Sequence, residues 1–91
     1  MITYRLEEDK NRAAAYDEGK EAGECVYSKD GNVWTIVHTG VDPAYGGQGI
    51  AGKLLELVVN AAKAEKVRID PVCSYAAHAF EKREDWKNLR V

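Results

Sequence analysis

No stretch of this 91-residue chain is apolar for long enough to span a bilayer, so no membrane-crossing helix is expected. Its start, MITYRLEEDK, has neither the cationic n-region nor the apolar h-region of a secretory signal, so a cytoplasmic protein is expected. A basic excess is missing too. Thirteen Lys and Arg stand against fifteen Asp and Glu, a net charge of −2. No global positive field would gather nucleic acid or anionic lipid. Only two cysteines occur, Cys25 and Cys73, far apart and outside any CxxC pair. Neither a redox motif nor a zinc ribbon follows, and free thiols in a reducing cytosol are expected. His38 and His78 stand at no ligand spacing from the cysteines, so no metal site is expected either. Repeats, low-complexity tracts and linkers are absent, and residues 1 to 91 read as one domain with a thin core.

Alternation is what the first half of the chain does have. ITYRL sets Ile2, Tyr4 and Leu6 against Thr3 and Arg5, a strand pattern. NRAAAYDEGKEAG is ambiguous, because its alanines favour helix while Asp17-Glu18-Gly19-Lys20 signals a turn close behind. We read a hairpin strand ending near Tyr16. AGECVYS reads as a strand, and Asp30-Gly31 suits a tight hairpin turn. In the next strand, Val33, Thr35, Val37, Thr39 and Val41 share one face, and Trp34, Ile36 and His38 share the other. A strand apolar on both sides is expected at the centre of a sheet covered from both sides.

Helical periodicity takes over after the glycines. Ile50, Leu54, Leu57, Val58 and Ala61 make an apolar stripe opposite Lys53, Glu56, Asn60 and Lys63. KVRID follows as a short strand held extended by Pro71. SYAAHAFEKRE reads as a final helix with Ser74 at its N-cap, and Trp86 is expected to pack onto the sheet. The order β-β-β-β-α-β-α predicts an α+β fold: a mixed, mostly antiparallel sheet with one right-handed βαβ unit.

Gly46, Gly47 and Gly49 stand directly before the best helix. Helix starts carry unpaired N–H groups and a partial positive charge, and glycines let such a backbone curl round an anion. A phosphate or pyrophosphate site is one reading, and a plain chain turn is the other. Two familiar patterns fit poorly. Gly47 to Lys53 satisfies GxxxxGK, but Leu54 stands where a magnesium-binding hydroxyl is needed. Gly47 to Gly52 also satisfies GxGxxG, yet the chain is too short for a doubly wound domain, and the candidate acid Asp70 precedes a proline.

GGQGIAGKLL, placed after a strand and opening an amphipathic helix, resembles the acetyl-CoA pyrophosphate loop of the GNAT N-acyltransferases, [RQ]-x-x-G-x-[GA]. Gly49 and Ala51 match it, and Gly46 stands where the family usually has Arg or Gln. That departure removes a side-chain contact and leaves more of the anion binding to main-chain amides. IVHTGVDPAYGGQGIAGKLLE followed by DPVCSYAAHAFEKREDW resembles the minimal GNAT-like acetyltransferases with a P-x-C-x-Y segment. The likeness is best over residues 33 to 86.

The resemblance implies an acetyl-CoA-dependent N-acetyltransferase acting on a small amine or a peptide or protein amine. The alternative is a CoA-binding module without catalysis. A monomer or weak dimer is expected, with no nucleic acid or membrane partner. Pantetheine would run along Val37, His38, Thr39 and Val41 like an added strand. The pyrophosphate would rest on the amides of Gln48, Gly49, Ile50 and Ala51, in a cofactor-binding loop that also takes in Gly46, Gly47 and Gly52, with Lys53 within reach. Cys73 would lie near the acetyl group, either as an acyl-accepting thiol or as pocket lining; without the resemblance it reads as a small buried hydrophobe. His38 is either a general base, an orienting partner of Cys73, or a histidine hydrogen-bonded within the sheet. Tyr75 would donate a proton to the departing thiolate, or simply pack. Cys25 is assigned to the core and His78 to solvent. Tyr45 is left open between covering an adenine and facing water.

Overall fold

The expected run of strands and helices is found. In a computed structural model describing all 91 residues, β1 (Ile2–Glu7), β2 (Arg12–Asp17), β3 (Lys20–Asp30) and β4 (Val33–Val41) form an antiparallel meander. Helix α1 (Ile50–Glu65) carries the chain to β5 (Arg68–Pro71), which pairs parallel to β4 and completes a sheet ordered β1 to β5. Helix α2 (Ser74–Lys82) and a 3-10 turn (Glu84–Leu89) close the chain. No helix is long and apolar enough to cross a membrane.

The alanine-rich segment is strand, and its packing explains why. Ala13, Ala14 and Ala15 are all completely buried, on both faces of β2. Ala13 and Ala15 join the core beneath α1. Ala14 pairs with Arg5 and Glu24 on the opposite face. There Arg12 binds Glu7 (2.7 Å), Glu24 (2.7 Å) and Glu21 (3.0 Å) in a polar layer. Tertiary packing overrides the helix propensity of alanine here.

The simple alternation expected for β4 does not survive. Val26 pairs with His38 and Tyr27 with Ile36, leaving Val37 as the extra residue of a β-bulge. One inserted residue reverses every later side chain. Trp34 and Ile36 lie in the core, Trp34 stacked on Tyr27 with ring centroids 4.7 Å apart. Beyond the bulge, Thr39 returns to their face, paired with Cys25, and His38 turns to the other. Coverage from both sides is therefore not needed. The core residues of both helices join Trp34 and Ile36 in one cluster, and α2 lies beside α1 across a shared cavity.

Three smaller expectations shift. The buried stripe of α1 is Ile50, Leu54, Leu55, Val58, Val59 and Ala62, with Leu57 and Ala61 only half-buried, because α2 adds a second surface to cover. The N-cap of α2 is Cys73 rather than Ser74. Trp86 packs on Phe80 of α2, centroids 5.0 Å apart, with the Arg83 guanidinium over its ring.

Candidate functional site

β4 and β5 start together and then part. Their ladder runs only from Val33–Arg68 to Ile36–Pro71. The amides of Val72 and Cys73 then both donate to the Ile36 carbonyl (3.2 and 3.0 Å), and the chain leaves for α2. Pro71 has no N–H to extend the ladder, and the bulge at Val37 twists β4 away. The β4 edge from Val37 to Val41 is left without a neighbour on that side.

The glycine loop stands at the mouth of this split. Asp42 accepts from the Ala44 amide (2.9 Å), and the short turn Pro43–Tyr45 follows. Tyr45 donates to Asp17 (2.8 Å), tying the turn to the end of β2. Gly47 and Gly49 have φ of 78° and 74°, left-handed values that tax any other residue, and a Cβ at either would meet only open space. Conformation, not crowding, demands glycine here.

This backbone path has a consequence for the amides. Gly46 N–H bonds Pro43 and Lys53 N–H bonds Gly49, but no N–H from Gly47 through Gly52 donates to any protein acceptor. Such groups at a helix start form a positively polarised surface. They open onto a cavity of about 170 Å³ that is also lined by Val41, Tyr45 and Tyr75. Lys53 does not line it; its ammonium lies 5.5 Å from the Tyr4 ring centroid, towards β1.

Deeper in the split, Thr39 Oγ1 lies 3.5 Å from both Cys25 Sγ and Cys73 Sγ. Cys73 Sγ also accepts from the Ala76 amide (3.3 Å), capping α2. Cys25 is completely buried, and burial pushes its thiol up to about 11. Tyr75 is 40% exposed, its hydroxyl close over Gly52. Burial, reinforced by the two cysteines, raises its phenol above the ordinary tyrosine value.

The structure thus gathers Cys73, Thr39, Tyr75, Val41 and the amides of Gly47 to Gly52, and it leaves His38 out. The His38 ring lies over Gly40 with Nε2 3.8 Å from Glu24, on the face away from Thr39. It cannot orient Cys73. Val37 is half-exposed at the bulge, and His78 is exposed on α2. Cys25, Cys73, His38 and His78 assemble into no metal-binding group. The Thr39–Cys73 contact was missed in the sequence, since β4 presents Thr39 to the split only through the bulge.

No curated protein matches this chain. Among solved structures, a GCN5-like protein from Staphylococcus aureus is 32% identical over all of this chain and 87% of its own, with a TM-score of 0.75. The ribosomal-protein-S18-alanine N-acetyltransferase of Escherichia coli aligns at 22% identity and a TM-score of 0.64, covering 87% of this chain and 50% of its own. N-acetylglutamate synthase from Neisseria gonorrhoeae, solved with coenzyme A and N-acetyl-glutamate, aligns at 13% identity and a TM-score of 0.72 over 91% of this chain and 28% of its own. The sequence pattern of the GCN5-related N-acetyl-transferases matches residues 3–89. The chain belongs to the GCN5-related N-acetyl-transferase family.

Proposed function

We propose that this protein is an acetyl-CoA-dependent N-acetyltransferase whose acceptor is a small amine or a peptide or protein amine. The observation that carries the proposal is the unpartnered run of amides from Gly47 to Gly52, set beside the divergence of β4 and β5. The residues fit the coenzyme: a diphosphate suits the amides, and a pantetheine arm suits the free edge from Val37 to Val41. Acetyl-CoA would supply an acyl group already activated as a thioester.

The chain's own part is to bind, orient and move protons. Holding both reactants in the split supplies effective concentration. An amide of β4 near Thr39 would face charge developing on the acyl oxygen. Tyr75, whose phenol is protonated at neutral pH, would give its proton to the departing thiolate. Cys73 would line the pocket or accept the acyl group. His38 would serve only an acceptor arriving on the face opposite Cys73.

Amine turnover with detection of released CoA tests this reading, using wild type and Gly49→Asp. Release that depends on amine and vanishes in Gly49→Asp supports it, and no release with any amine contradicts it. An acetyl adduct on Cys73 would mark the two-step route. Turnover surviving in Cys73→Ala would mark direct transfer.

A second reading, a CoA-binding module without catalysis, draws on one feature. No carboxylate or imidazole touches Cys73 or Thr39, whose side-chain partners are each other, Cys25 and the Ala76 amide. Coenzyme binding without turnover would favour it.

A further inference from the structure

Between β4 and α1 the chain has little to hold it in place. The Ala44 and Tyr45 amides bond Asp42 and the Gly46 amide bonds Pro43, all within the loop itself. Gly46, Gly47 and Gly49 follow, the residue type with the most backbone freedom to lose on ordering. At the far end of this run, Ile50 is anchored in the core.

The near end is pinned from one place, the tip of the β2–β3 hairpin. Ala15 pairs with Gly23 and Tyr16 with Glu21, so Ala22 falls out of the ladder as a bulge, and its carbonyl accepts from the Asp42 amide (2.8 Å). Asp17 accepts from the Tyr45 hydroxyl (2.8 Å), and its other oxygen takes the Met1 ammonium (3.3 Å). From Pro43 to Gly52, the Tyr45–Asp17 bond is the one hydrogen bond that reaches outside the loop and α1. The Tyr45 ring lines the cavity onto which the glycine amides open, with the Lys20 ammonium 5.9 Å from its centroid. Asp17 does not line that cavity. It reaches the loop only through Tyr45.

We infer that Asp17 is a positioning residue for coenzyme binding: by holding Tyr45 it fixes the start of the glycine run, so that the amides of Gly47 to Gly52 are aimed before the diphosphate arrives. The inference rests on the coenzyme reading above and adds to it a residue 28 positions from its partner in the chain. An anchor of this kind raises affinity by raising the share of molecules already in the binding pose.

Calorimetric titration with CoA of wild type, Asp17→Ala, Tyr45→Phe and the double variant tests this. Both single changes delete the same hydrogen bond, and Tyr45→Phe leaves the ring on the cavity wall. Each is expected to weaken CoA about fivefold, the loss that follows when roughly one molecule in five holds the binding pose. The double variant should lose no more than either single one. Asp17→Asn keeps an acceptor for the Tyr45 hydroxyl and should stay within about twofold of wild type. A bond that served the fold alone would lower the melting temperature and leave the affinity of the folded protein unchanged. Unchanged affinity in Tyr45→Phe, additive losses in the double variant, or equal losses in Asp17→Asn and Asp17→Ala would overturn the inference and leave coenzyme binding standing. Failure of wild type to bind CoA would remove the coenzyme reading itself, and this inference with it.

Discussion

Thr39 on β4 and Cys73 at the head of α2 meet across the split in the sheet, Oγ1 3.5 Å from Sγ, while His38 lies on the opposite face of β4. Cys73 holds two positions at once. It faces the split, and its sulfur caps a helix by accepting from Ala76. Removing that acceptor in Cys73→Ala is expected to cost about 0.5–1 kcal/mol. That lowers the melting temperature by roughly 2–8 °C in a domain of this size. Cys73→Ser, which supplies a better cap, should melt no lower than wild type. Equal melting of Cys73→Ala and wild type by circular dichroism would contradict the capping role.

The two thiols should behave differently. Burial raises Cys25 to about 11 in the folded chain, against about 8.5 when unfolded. The folded state holds that proton longer, so stability falls as pH rises from about 8.5 towards 11. A thiol-reactive chromophore at pH 8 should label Cys73 in the native protein and Cys25 only in guanidinium. Rapid native labelling of Cys73→Ser would show that Cys25 is not sealed.

Acid should loosen the polar layer on the open face. The hydrogen bonds from Tyr16 and then Arg12 hold the Glu7 carboxyl below the usual carboxylate range. Its stabilising share is complete above the unfolded value, about 4.3, and is lost as pH falls through the folded one. Glu7→Gln should therefore flatten the dependence of stability on pH below about 4.5. Thermal melts across that range read the slope directly, and parallel curves for both proteins would count against the coupling.

Tyr27 offers a stabilising change. Its ring stacks on Trp34, yet its buried hydroxyl has no hydrogen-bond partner. Desolvating an unpaired hydroxyl costs about 1–3 kcal/mol. Tyr27→Phe keeps the stack and should raise the midpoint of chemical denaturation by an equivalent of about 1 kcal/mol. A lower midpoint would mean that the hydroxyl has a partner in solution.

Local signals in the sequence carried most of the architecture. The Asp30-Gly31 turn, the alternation of β1, and the helical period after Gly49 each set an element without help from distant residues. Gly47 and Gly49 were legible because left-handed backbone leaves few other choices. What failed to show was non-local. The bulge at Val37 exists only as a mismatch in pairing with Val26 and Tyr27, and β4 read alone gives regular alternation. That single residue decides that Thr39, not His38, faces Cys73. Likewise proximity in sequence puts Lys53 beside the anion, whereas the helix turns it towards Tyr4.

The glycine conformation and the anion site can be separated by substitution. Gly49→Ala forces a Cβ into φ of 74° and should cost about 1–2 kcal/mol of stability. Coenzyme should still bind where the fold persists. Gly49→Asp adds a carboxylate at the proposed diphosphate position and should weaken CoA at least about a hundredfold by calorimetry. Similar affinities for the two variants would argue that the loop only turns the chain.

The most direct measurement is a titration of the ¹⁵N-labelled protein with CoA, followed amide by amide. The N–H resonances of Gly47 to Gly52 should move downfield together and saturate as they acquire an acceptor, while those of the β1–β2 hairpin stay in place. Saturable binding that leaves this run of amides unmoved, or no binding at all, would contradict the assignment of the loop as a diphosphate cradle.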